Sequence, residues 1–236
     1  MSDPPRLLPR AAVLVWQAML SGILLDFVLI AFAVMNRDSP LGEPGGVRYV
    51  LNAVAPLTVY GLALWLAGSP RLPRHISALR IAVPLGMAAG LLQVVHMVLE
   101  NAGNRIGERS TVTLAFMLGA FLLWGVAGFL AARRTGLVKA AVAAGCASAA
   151  ISVFIAVTFG LVLMTANLPS PAYVATWPEF QQSRWVSPRA FAIANSLDAV
   201  LSHLLIGPVV GVIVGFAGGG LARLASRRSA PALTQH

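Results

Sequence analysis

Charge is what this chain has least of. Only 11% of its 236 residues are Asp, Glu, Lys or Arg, while 58% are hydrophobic. A soluble domain carries about 25% charged and about 45–50% apolar residues, so an ordinary water-soluble fold is excluded from both sides. The apolar excess excludes a disordered chain as well. Cysteine is nearly absent: Cys146, in an Ala-rich apolar run, stands alone. One thiol makes neither an internal disulfide nor a cysteine metal cluster, and small-residue packing is its expected role. Lysine is limited to Lys139, the other basic residues being Arg, a bias that fits a GC-rich bacterial genome.

Enzyme signatures are missing too. The chain has no H-E-x-x-H, no G-x-S-x-G and no G-x-x-x-x-G-K. Ser202 precedes His203, but adjacent helical residues point about 100° apart and cannot work as a nucleophile and its base. No cofactor is named by any motif.

What the sequence has in abundance is long apolar runs, at about 11–35, 49–68, 79–99, 111–132, 138–166 and 190–222. Each is long enough to cross hydrocarbon, which takes about 20 residues. They are rich in Leu, Ala and Val and lack the alternation of barrel strands. The expected fold is an all-α integral membrane protein, a single domain of six transmembrane helices over 1–236. The first run holds Ala31-Phe32-Ala33, which matches a signal-peptide cleavage site. It exceeds the about 7–15 apolar residues of such a peptide and contains Asp26, so a retained helix is expected.

The net charge of +9 would point to nucleic acid in a soluble protein. Here the basic residues flank apolar runs, so the expected partner is a lipid bilayer and not nucleic acid. Arg6, Arg10, Arg71, Arg74, Arg80, Arg133, Arg134, Lys139, Arg223, Arg227 and Arg228 fall on the side of both termini, against Asp3. Arg37, Arg48, Arg105, Arg109, Arg184 and Arg189 fall opposite, among Asp38, Glu43, Glu100, Glu108 and Glu179. Positive residues favour the cytoplasmic side, which places both termini there and the protein in a cytoplasmic membrane. The longest outer link, 167–189, contains Tyr173, Trp177, Phe180 and Trp185. Thr176 and Glu179 have capping-box spacing around Pro178, predicting a short interfacial helix near 177–185. Ser187-Pro188 then reads as N-cap and first residue of the last span.

Small residues mark packing faces. Gly207, Gly211, Gly215 and Gly219 recur every four residues, a spacing that lets another backbone approach closely. Ala140, Ala144, Ser148 and Ser152 on the fifth span form a matching row, and Gly86 with Gly90 a shorter one on the third. Such a face serves the chain itself, a homo-oligomer or a membrane partner.

Ionisable residues within spans mark functional candidates. These are Asp26, His96, Asp198 and His203, with Glu100 at the boundary and Asn52, Gln93, Asn101 and Asn195 nearby. Counted from the outer ends of their spans, Asp198 and Asp26 lie at about 12 and 14 Å. Gln93 and His96 lie above them, at about 9 and 5 Å, and His203 below, at about 20 Å. The expected site is an outward-open polar pocket among the first, third and sixth spans. It would bind a proton, a cation or a small solute through Asp26 and Asp198, as a small transporter does. Gln93, His96 and Asn195 complete it, and His203 is a deeper relay. Two other classes stay open: a non-catalytic scaffold or accessory subunit assembling through the glycine row, and a membrane enzyme or haem protein. The unequal depths of His96 and His203 argue against a shared iron or zinc, and His75 and His236 lie in a loop and at the C-terminus.

Overall fold

The computed structural model describes residues 7–67, 76–102, 109–166 and 169–228. Asp3, Arg6, Arg71, Arg74, His75, Arg105, Glu108 and His236 lie outside the described residues. The described elements are helices: α1 Leu7–Met35, α2 Gly46–Ala67, α3 Ile76–Ala102, α4 Arg109–Thr135, α5 Val138–Thr165, α6 Pro171–Val174, α7 Pro178–Gln182 and α8 Pro188–Arg228. A 3-10 turn, Pro40–Gly42, precedes α2, and no strand occurs among the described residues. Six of the helices are long and apolar enough to cross a membrane. Their bounds follow the apolar runs because a helix satisfies its own backbone where no water can.

The short helix expected near 177–185 is present as α7, and a second one, α6, precedes it; each begins with a proline in its first turn. The capping box does not form. Trp177 takes the N-cap position without a side-chain bond, and the Thr176 hydroxyl donates backwards to the Tyr173 carbonyl at 2.7 Å. Ser170 supplies the cap of α6. Ser187 caps α8 as expected, its Oγ accepting the Ala190 N–H at 3.1 Å with Pro188 at the first helical position.

The chain groups into two compact units. The first holds α1, α2, the end of α3, the second half of α5 and the first half of α8. Its registers can be read from contacts. The Trp16 indole donates to the Leu64 carbonyl at 2.8 Å, and Ile23 lies against Gly61, so α1 and α2 run antiparallel. Asn52 meets Asp198 and Tyr60 meets Leu204, so α2 and α8 run parallel. That is the direction required of the second and sixth spans in an alternating topology.

The second unit holds α4, most of α3, the first half of α5 and the second half of α8. The last two are joined by small residues. Gly207 faces Val153, Gly211 faces Ala149 and Gly145, Gly215 faces Gly145 and Ala141, and Gly219 faces Ala141. The row used on α5 is therefore 141-145-149-153, one residue on from the expected Ala140, Ala144, Ser148 and Ser152. The expected row is turned the other way. Ala144 packs with Ala78, Ile81, Ala127 and Ala131, the Ser148 backbone approaches Gly86, and Ser152 meets Trp124. An α5 with small residues on two faces can touch α8 on one and α3 and α4 on the other. At the α4–α5 turn, Gly136 takes φ 70°, and its N–H closes on the Ala132 carbonyl at 2.7 Å.

A Cβ on Gly215 would stand 2.8 Å from the Ala141 carbonyl oxygen, whereas one on Gly220 would meet nothing. Overpacking costs about 1–3 kcal/mol where side chains can shift, and backbone cannot shift so easily. Gly215→Leu is expected to abolish the folded monomer in size-exclusion chromatography, while Gly220→Leu leaves it unchanged. Equal behaviour of the two variants would show that close backbone approach is not what the row provides.

Candidate functional site

The intramembrane polar residues divide between the two units. Gln93 and His96 belong to the second, and both have partners there. The His96 Nε2 lies 3.0 Å from the Thr113 hydroxyl, and its ring packs on Phe116 at 5.3 Å. Ser152 is a hub: it accepts the Trp124 indole N–H at 3.0 Å, donates to the Ala149 carbonyl at 3.0 Å, and lies 3.5 Å from the Gln93 amide nitrogen. Trp124 and Thr113, which no intramembrane-charge argument would select, supply two of these contacts. Glu100 lies exposed near the end of α3.

The first unit brings the others together in part. The Asn52 amide donates to Asp198 Oδ1 at 2.7 Å. Asp198 sits ten residues into α8, about 15 Å along its axis. It is exposed, as are Asn195 one turn before it and Ser202 one turn after. These three share one stripe of α8. Ser202 donates to the Ala199 carbonyl at 3.0 Å. His203 Nδ1 lies 2.8 Å from that same carbonyl. A carbonyl only accepts, so Nδ1 carries a proton.

Asp26 is different. It is fully buried at 0% exposure, and neither carboxyl oxygen has a hydrogen bond of proper geometry. The Thr158 hydroxyl of α5, itself buried and unpartnered, is its polar neighbour. The equal depth expected of Asp26 and Asp198 is not what the registers give. On α2 as a common ruler, Ile23 meets Gly61, which puts Asp26 near Thr58, whereas Asp198 meets Asn52. Six residues of α2 separate the two levels, about 9 Å. Depth counted from helix ends misleads because these helices do not end level. The acids have separate neighbours and do not form one carboxylate pair.

Tyr60 is a residue the sequence reading missed. Pro208 lacks an N–H, so the carbonyl four residues before it, on Leu204, loses its helical donor. The Tyr60 hydroxyl donates to that carbonyl at 2.8 Å. The signal was available: a proline inside a span needs a donor from a neighbouring helix.

The N-terminal end of α8 is held by its own contacts. Glu43 accepts the Val186 N–H at 3.1 Å and the Ser187 N–H at 2.9 Å, placing negative charge at the helix start. Arg189 pairs with Asp38 at 3.4 Å. Tyr49, Trp185, Phe191 and Phe180 make successive edge-on ring contacts of 5.5–5.7 Å. Among the described residues no three His, Cys, Asp or Glu side chains gather to hold a metal ion.

Helical composition and six long apolar helices define the chain as an all-α, multi-pass membrane protein. No protein-family model, curated protein or solved structure matches it.

Removing the Tyr60 hydroxyl strands a carbonyl on Leu204, a residue 1% exposed. An unsatisfied buried acceptor costs about 1–3 kcal/mol. Tyr60→Phe is therefore expected to lower the melting temperature in detergent, and Tyr60→Phe combined with Pro208→Ala to recover most of the loss. No recovery in the double variant would refute the link between them.

Proposed function

We propose that this protein takes up a small cation or cationic solute from the outer side of a cytoplasmic membrane, at Asp198 of α8, and carries it as a small transporter. The observation that supports this is an exposed carboxyl about 15 Å into an apolar helix, with only one amide donor on one of its oxygens. An Asp at the centre of a membrane helix costs about 2.5–3.5 kcal/mol when left to lipid. Exposure at that depth calls for water, a cation or a polar ligand beside it. Asn195 and Asn52 add amide groups to the same face, and Ser202 and His203 follow below it on α8. The direction of approach and the placing of both termini in the cytoplasm rest on the distribution of basic residues.

Gln93 and His96 join this site less readily than the sequence implied, since each is engaged within its own unit. The scaffold reading loses its stated surface for a different reason. Gly207, Gly211, Gly215 and Gly219 are buried against α5 of the same chain. A homo-oligomer or membrane partner would have to use another face.

The test is thermal stability of the purified protein in detergent with sodium, potassium, magnesium and ammonium chlorides, for wild type and Asp198→Asn. A ligand at 100 times its Kd stabilises the folded state by about 2.7 kcal/mol, a clear shift in melting temperature. One cation is expected to shift wild type and leave Asp198→Asn unmoved. Identical responses of the two proteins to every salt would overturn the reading.

A further inference from the structure

Asp26 is the one fully buried carboxyl among the described residues, and the site at Asp198 does not use it. Its surroundings are apolar. Ile23 and Ile30 flank it on α1, and on α5 Phe154, Val157 and Leu161 flank Thr158, all of them buried. Three buried oxygens, two on Asp26 and one on Thr158, are left without a hydrogen bond of proper geometry. Buried polar groups in proteins are nearly always satisfied, so such a cluster marks a place where something else binds.

The number of oxygens limits what that is. Magnesium demands octahedral coordination and calcium takes six to eight oxygens. Two side chains on two helices supply three, and regular helices spend their carbonyls internally. A proton needs only one oxygen to hold it and one to accept from it. We propose that Asp26 and Thr158 are a proton-binding pair, the protonated Asp26 carboxyl donating its O–H to Thr158 Oγ1. Binding adds one proton to the carboxylate and changes nothing else; the Thr158 O–H stays free to donate to a carbonyl one turn back on α5.

Other ionisable groups on the long helices of this unit are Glu100 at the end of α3 and Arg189, Asp198 and His203 on α8; the rest belong to α1, α2 and α5. On α2 these are Arg48, Tyr49 and Tyr60. Arg48 and Tyr49 lie at its outer start, and the Tyr60 hydroxyl is committed to Leu204. On α5 they are Lys139, at its first turn, and Cys146, three turns before Thr158. On α1 the other charged residue is Arg10, in its first turn. The inference goes beyond the solute site at Asp198: it adds a second, dry site on different helices, through which uptake can be linked to protons.

Infrared spectroscopy of the purified protein in detergent at neutral pH tests it. Wild type is expected to show a protonated-carboxyl C=O band that shifts in deuterium oxide. Asp26→Asn should lose that band and Asp198→Asn should keep it. Thr158→Val should move it to higher frequency, because the acid loses its hydrogen-bond acceptor, and this variant decides the matter if Asp26→Asn does not fold. Absence of the band in wild type, its survival in Asp26→Asn, or an unmoved band in Thr158→Val would each overturn the proposal. The salt response at Asp198 is read separately, so either site can fail while the other stands.

Discussion

In hydrocarbon a polar atom has no water to fall back on, and this chain is organised by where each one finds a partner. The backbone solves the problem by staying helical over six long stretches. Where a helix fails locally, a side chain repairs it: Pro208 takes a donor from the Leu204 carbonyl, and Tyr60 of α2 returns one. Side chains obey the same constraint. Ser152 gathers Trp124 and Gln93, Thr113 meets His96, and His203 turns onto its own helix. Against this background Asp26 with Thr158, the buried Ser148 hydroxyl and the half-partnered Asp198 stand out among the described residues.

Small residues decide what the large ones can do. With no hydrophobic force between helices in lipid, association depends on close contact, and α5 supplies it on two faces. Gly145 and Ala149 bring it against Gly211 and Gly215, while Ala144 and Ser148 admit α3 and α4. In the other unit Gly22 of α1 lies on Phe154 and Gly61 of α2 on Ile23. The contact at Gly22 is one turn from Asp26, so the α1–α5 packing that hides this acid also sets Thr158 beside it.

Much of the architecture was legible in the sequence, because span length and apolar content are summed over many residues and tolerate local exceptions. The six helices fall where the apolar runs do, and Ser187 caps α8 as its position before Pro188 implies. The errors have local causes. Thr176 had the spacing of a capping box, but its hydroxyl is taken by the Tyr173 carbonyl one turn back. The matching face of α5 was displaced by one residue, since its small residues occupy two adjacent rows and sequence alone cannot say which row meets α8. The candidate site was legible only as a list of residues. Asp26, Asp198, Asn195 and His203 share a unit, but equal depth for the two acids assumed helices that end level. Tyr60, Thr113, Thr158 and Trp124 are partners, and partners are set by tertiary contacts.

Uptake at Asp198 requires that the stripe of α8 holding Asn195, Asp198 and Ser202 be wet and reached from outside. Cysteine labelling measures this directly, since Cys146 is the only native thiol. In a Cys146→Ser background, Asn195→Cys and Ser202→Cys are expected to react with a membrane-impermeant maleimide added to intact cells, with Phe216→Cys, on the exposed side of α8 beyond Pro208, unreactive as the control. If neither position reacts until the membrane is permeabilised, the stripe faces lipid or the opposite side, and an outward-open site at Asp198 is contradicted.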